Sequence, residues 1–116
     1  MKTQLMHVRI NVSNINEALE WYKNVLGFEA EDWGWPPENP KYFSFKSKAG
    51  ADFSILEEEK CSNGRTNFTV DDVDELWEKL KNKVEVVEPL FNTPWGTRKF
   101  TIKDLDGNEL GFVQGN

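Results

Sequence analysis

His7, Arg9 and Asn11 stand at alternate positions near the start of the chain, and Arg65, Asn67 and Thr69 repeat that spacing in its middle. At period two, each trio shares one face of an extended strand. Guanidinium and amide groups offer fixed donors to a polar ligand. His7 is the one histidine, and an imidazole titrates near neutrality, so it could serve as a general base. A lone histidine of this kind more often only hydrogen-bonds a ligand or a neighbour. No Ser-His-Asp set and no glycine-rich phosphate loop accompanies it. Cys61, the one cysteine, has no histidine close in sequence and reads as a spectator thiol in a polar turn. The run Asp104-Leu105-Asp106-Gly107-Asn108 has the look of a calcium loop, but its glycine comes too early and Gly115 stands at the twelfth position. That reading is rejected.

Periodic segments must position these residues. Met6, Val8, Ile10 and Val12 alternate with Leu5, His7, Arg9 and Asn11, a strand with one apolar and one largely polar face. Asn14 with Glu17 forms a capping pair for a helix whose stripe is Ile15, Ala18, Leu19, Tyr22 and Leu26, ended by Gly27. A short strand is expected over 28–32, then a loop over 33–40, then strands over 42–46 and 51–57. After the polar connector 58–64 the pattern restarts. Thr66, Phe68 and Val70 alternate with Arg65, Asn67 and Thr69. Asp72 with Glu75 caps a second helix with stripe Val73, Leu76, Trp77 and Leu80. Caps and stripes of the two halves agree at an offset of 58 residues, an internal repeat. A strand over 84–87 follows. Then Arg98, Phe100 and Ile102 alternate with Thr97, Lys99 and Thr101, the 104–108 run makes a tight turn, and Leu110 to Val113 returns. The chain is thus two β-α-β-β-β modules, about 1–60 and about 61–116, making one α+β domain.

Composition restricts the partners. With 38% hydrophobic and 29% charged residues the chain is an ordinary soluble globular one. Its net charge of −6 argues against nucleic acid or an anionic membrane. Residues 1–6 lack the apolar run of a signal peptide, and no segment reaches transmembrane length. A single cysteine permits no internal disulfide, so a reducing cytoplasm is the expected home.

Pro94-Trp95-Gly96, then Arg98-Lys99-Phe100, then the turn Asp104-Leu105-Asp106-Gly107-Asn108 before the last strand form a signature. It resembles the C-terminal signature of the glyoxalase/bleomycin-resistance/extradiol-dioxygenase superfamily, the vicinal oxygen chelate (VOC) fold, with Leu105 where the family usually has proline. The resemblance covers essentially the whole chain. It implies two tandem βαβββ modules forming an incomplete barrel, helices outside and a ligand cleft between the modules, and commonly a homodimer, since pairing satisfies exposed sheet edges. Metal-dependent members hold a divalent ion with one side chain from the first and one from the last strand of each module, leaving open positions for a Lewis acid to grip vicinal oxygens. Carried over residue by residue, His7 matches the first ligand position. Arg65 falls at the second, Ile55 at the position on the fourth strand, and Gly111 at that of the final Glu. No metal or other cofactor is therefore expected. A shifted divalent site using His7, Glu57 and Glu109 is the alternative.

Within that resemblance the aromatic surplus acquires a use. Five tryptophans and eight phenylalanines exceed what a small core requires. Trp77 belongs to a helix stripe, and Trp21 lies beside the other, partly exposed or at a subunit contact. Trp33, Trp35 and Trp95, flanked by Gly or Pro, read as loop residues that cap a barrel end or stack on a flat ligand. The expected binding set is His7, Arg9, Asn11, Trp33, Trp35, Arg65, Asn67 and Trp95, and His7 is the catalytic residue if there is one. The first function class is a metal-free binding protein that sequesters an aromatic or polar organic molecule, anionic or neutral. The alternative is an enzyme of the superfamily, a lactoylglutathione lyase-like protein, isomerase or dioxygenase, working through His7 with or without metal.

Overall fold

A computed structural model describes residues 1–60 and 62–115; the expectation for Cys61 lies outside the described residues. The chain divides into two compact units, Met1–Ser62 and Asn63–Asn116. Each is an α+β module of β-α-β-β-β order. Module one runs β1 (His7–Val12), α1 (Ile15–Asn24), β2 (Ala30–Trp35), β3 (Tyr42–Phe45) and β4 (Asp52–Glu57). Module two runs β5 (Arg65–Thr69), α2 (Val73–Leu80), β6 (Glu85–Asn92), β7 (Arg98–Lys103) and β8 (Glu109–Gln114). The sheets have the matching orders β1-β4-β3-β2 and β5-β8-β7-β6, with the first and last strands of each module paired in parallel.

The repeat visible in the sequence is a repeat of caps and packing. Asn14 accepts the Glu17 N–H and Asp72 the Glu75 N–H, each at 3.0 Å. Each module's last strand also returns a side-chain acceptor to its own helix: Glu57 takes the Ile15 N–H and Gln114 the Val73 N–H, both at 2.9 Å. Helix N-termini carry unpaired donors, and these four acceptors satisfy one each. Gly27, at φ +76°, ends α1, and the Phe28 N–H turns back to the Tyr22 carbonyl.

One face of each sheet packs under its helix. In module one Ile10, Val12, Phe45, Phe53 and Ile55 are buried with Ile15, Ala18 and Tyr22 of the helix. In module two Phe100, Ile102, Leu110 and Phe112 are buried with Val73 and Leu80, and Trp77 lies half-buried with its ring 5.2 Å from that of Phe100. At about 25 cal/mol per Å², burying such side chains is the main stabilising contribution of each module.

Two elements differ from the sequence expectation. β2 continues through Trp33 and Trp35, which are strand residues and not part of a loop. Gly34 is there for space: a Cβ at this position would meet the Phe43 ring at 2.6 Å and Pro40 at 2.8 Å. β6 runs on to Asn92. It tolerates Pro89 because it is the edge strand of its sheet and shifts register twice against β7.

Candidate functional site

Register decides which residues share the sheet face turned away from the helix. In module one, β1 and β4 pair His7 with Asp52, Arg9 with Ser54 and Asn11 with Leu56. The row through Asn11 and Leu56 continues to Tyr42 on β3 and Trp35 on β2. Trp33 follows the same parity and stacks on Tyr42, with ring centroids 6.1 Å apart and planes 28° from parallel. The open face of module one therefore carries polar side chains along β1 and, at the opposite edge of that same face, an aromatic wall of Trp33, Tyr42 and Trp35. Ser44 and Ser54, short side chains, lie between. The two indoles are 53% and 63% exposed, far more than a core role allows. His7 and Arg9 are also exposed. Asn11 is committed elsewhere: its backbone N–H donates to the Ser62 hydroxyl and its side-chain amide to the Lys60 carbonyl at 3.1 Å, tying the connector to the edge of β1.

In module two the open face carries Arg65, Asn67 and Thr69 from β5, Glu109, Gly111 and Val113 from β8, and Lys99, Thr101 and Lys103 from β7. β6 adds Glu85, Glu88 and Phe91. Arg65 is not free to clamp an anion. Its Nε donates to Glu109 at 2.9 Å, its Nη2 to the same oxygen, and its Nη1 to Glu88 at 3.1 Å. The Glu109 hydrogen bond above all pushes the guanidinium pKa up. Glu88 also accepts from the Thr101 hydroxyl at 2.6 Å, and with Lys99 and Arg65 nearby its carboxyl is held below the usual range. Asn67 lies over Gly111, where an added Cβ would come within 2.0 Å of its side-chain oxygen.

Trp95 is in the turn between β6 and β7, 71% exposed, on a loop clamped by the Thr93 and Thr97 hydroxyls 2.7 Å apart. The structure does not bring it to Arg65. Arg65 pairs with Glu109 and through it with Lys103, whereas Trp95 precedes Arg98 at the other end of β7. Five residues of strand separate those ends, roughly 17 Å. An open cavity of about 340 Å³ beside this turn is lined by Asn92, Thr93, Thr97, Arg98 and Gln114. Its polar groups are already engaged, Arg98 with Asp74 and Asn92, and Gln114 with the Val73 N–H.

Ile55 pairs with Ile10 on the helix side and is fully buried, and the β4 residues that share a face with His7 and Arg9 are Asp52, Ser54 and Leu56. The shifted set is not assembled either. Glu57 has the parity of Ile55 and faces the helix, where Ile15 and Lys41 take both its oxygens; these contacts, the Ile15 N–H first, lower its pKa. It lies five residues of register from His7, again roughly 17 Å. Glu109 is bound to Arg65. Among the described residues no three His, Cys, Asp or Glu side chains gather as a metal site. Sequence reasoning missed Tyr42, Glu88, Lys99 and Thr101. Tyr42 could have been found by its parity with Ser44 in the expected strand over 42–46.

The family model described as Glyoxalase/Bleomycin resistance protein/Dioxygenase superfamily matches residues 4–112. Among solved structures, TioX from Micromonospora sp. ML1 is 20% identical with a TM-score of 0.82, covering 97% of this chain and 98% of that one. A member of the same superfamily from Sphaerobacter thermophilus DSM 20745 is 25% identical at TM-score 0.79, over 98% of each chain. A lactoylglutathione lyase from Agrobacterium tumefaciens is 18% identical at TM-score 0.77, over 99% of this chain and 96% of that one. The likeness to the first and third is one of fold. No curated protein matches the sequence. Among the described residues no helix is long and apolar enough to cross a membrane.

Proposed function

This chain belongs to the Glyoxalase/Bleomycin resistance protein/Dioxygenase superfamily, and we propose that within it the protein is a metal-independent binding member that captures a flat organic molecule without transforming it. The observation that carries this reading is the open face of module one. Trp33 and Trp35 stay exposed there beside Tyr42, on the same side of the sheet as His7 and Arg9. Indoles present large rigid apolar faces at little entropic cost, and a ring laid against them gains stacking energy beyond area burial. Arg9 and His7 supply donors for the polar part of the ligand. Lewis-acid chemistry has no support from the side chains at the positions the resemblance implies: Ile55 is buried on the helix side, and Arg65 and Gly111 offer no ligand to a cation. On this proposal the protein acts in the cytoplasm as a homodimer.

The test is a titration followed by intrinsic tryptophan fluorescence, using matched planar probes such as quinoline-2-carboxylate and quinoline-2-carboxamide. Saturable quenching is expected for wild type. Trp33→Leu together with Trp35→Leu should weaken binding at least tenfold, equivalent to about 1.4 kcal/mol. Recovery of the probe unchanged after long incubation supports capture. Conversion that disappears in His7→Ala would instead establish the enzyme reading. Quenching absent for every probe, or undiminished affinity of the double variant, would remove the proposal.

A further inference from the structure

Arg65 leaves the edge strand β5 and reaches carboxylates on two other strands. Glu109 is its register partner on the adjacent β8, and Glu88 is on β6, three strands away in the sheet order. The lane across the sheet is clear because the residues between are Gly111, without a side chain, and Thr101, with a short one. The two carboxylates thus converge on one guanidinium. Two further oxygens lie nearby: the Thr101 hydroxyl, 2.6 Å from Glu88, and the Asn67 amide oxygen above Gly111. Two carboxylates with a hydroxyl and an amide oxygen are the donor set of a hard divalent cation. Here the seat is taken by a cation that belongs to the chain. Lys99, with its ammonium 3.7 Å from Glu88, completes the balance of two positive and two negative groups.

We propose that Arg65 is the resident cation of a Glu88–Glu109 cradle: it neutralises the two carboxylates as a divalent ion would, and makes the open face of module two independent of metal. The inference does not depend on which ligand module one holds. It explains why an arginine at this position is compatible with the fold, although it cannot ligate an ion. The guanidinium replaces the ion instead of one of the ion's ligands. A planar fork suits the task, since it satisfies carboxylates from two directions and never loses its charge. The carboxyl of Glu88, held below its ordinary pKa, stays ionised to meet it.

The experiment compares wild type, Arg65→Gln and Arg65→Gln/Glu109→Gln in titrations with Mn²⁺, read by calorimetry and by melting temperature with and without EDTA. Wild type should show no saturable uptake below about 1 mM Mn²⁺, in the range of the weakest oxygen-ligand sites, and its melting should ignore EDTA. Arg65→Gln should melt lower, bind Mn²⁺ at least tenfold more tightly than wild type, and regain melting temperature when the ion is added. The double variant should lose that uptake. Wild-type uptake of one Mn²⁺ per chain, abolished by Glu109→Gln, would overturn the proposal. So would an Arg65→Gln chain that is folded and indifferent to Mn²⁺, or one that fails to fold both with and without the ion. A chain that folds only with the ion present supports it.

Discussion

Replacing Gly34 by alanine tests whether the aromatic wall of module one depends on a close approach beneath it. The added Cβ would lie 2.6 and 2.8 Å from two atoms of the Phe43 ring and 2.8 Å from the Pro40 Cβ. Ordinary carbon contacts are about 3.5–4.0 Å, so at least one neighbour must retreat by close to an ångström. The ring alone cannot relieve both contacts, because Pro40 is on a separate segment from Phe43. Overpacking of this kind costs about 1–3 kcal/mol. With melting shifts of roughly 4 °C per kcal/mol for a chain of this length, Gly34→Ala should melt about 4–12 °C below wild type. β2 is an edge strand, so the strain should also lift Trp33 from Tyr42 and change the near-ultraviolet dichroism. Gly64→Ala is the control: nothing lies within 4 Å of its added Cβ, and its melting should stay close to wild type. A Gly34→Ala protein that melts within about 1 °C of wild type with an unchanged aromatic spectrum would refute the packing argument.

The remaining predictions concern caps, core and assembly. Glu57→Ala should lower the melting temperature by unpairing the Ile15 N–H and Lys41. Because the folded carboxyl titrates below its ordinary value of about 4.5, that contribution is complete above the ordinary value and is lost as the pH falls through the folded one. The gap between variant and wild type should therefore be full at pH 7 and close progressively as the pH falls below that ordinary value. Phe100→Ala removes a fully buried ring packed against Trp77 and Phe112; urea denaturation should show module two weakened by about 3–5 kcal/mol. Sedimentation at micromolar concentration should give the proposed homodimer, and a monomer would count against it.

Much of the fold was legible because the repeat is written in residue types that act locally. Asn14 and Asp72, Glu17 and Glu75, and the two apolar stripes need only their own helix turn to express their preference. The 104–108 turn is equally local: Asp104 accepts the Asp106 and Asn108 N–H groups, and Gly107 takes φ +82°. Where glycine and proline serve distant partners, their meaning was hidden. Gly34 fell within the loop expected over 33–40, yet it makes room for Phe43; the strand expected over 84–87 stopped short of Pro89, yet the observed one runs through it at a sheet edge. Truncating that strand also concealed Glu88, and with it the partner that commits Arg65. The alternation of β1 and β5 correctly placed His7, Arg9, Arg65 and Asn67 on the faces away from the helices. Alternation could not show which of them were already engaged, because the partners come from strands far along the chain. Glu57 and Gln114 carried a signal that could have been used, since they stand 57 residues apart, close to the repeat offset, and do the same work for Ile15 and Val73.

The central claim, a flat ligand seated on the aromatic wall of module one, is tested most directly by the indole N–H signals of the five tryptophans in ¹H–¹⁵N correlation spectra. Each signal is assigned by single Trp→Phe substitution and followed while a quenching probe is added. The account predicts saturable shifts for Trp33 and Trp35, together with the backbone amides of Arg9 and Tyr42, while Trp21 and Trp77 on the helix side hold still. Shifts confined to Trp95, or to Trp21 and Trp77, with Trp33 and Trp35 unmoved at saturation, would contradict it.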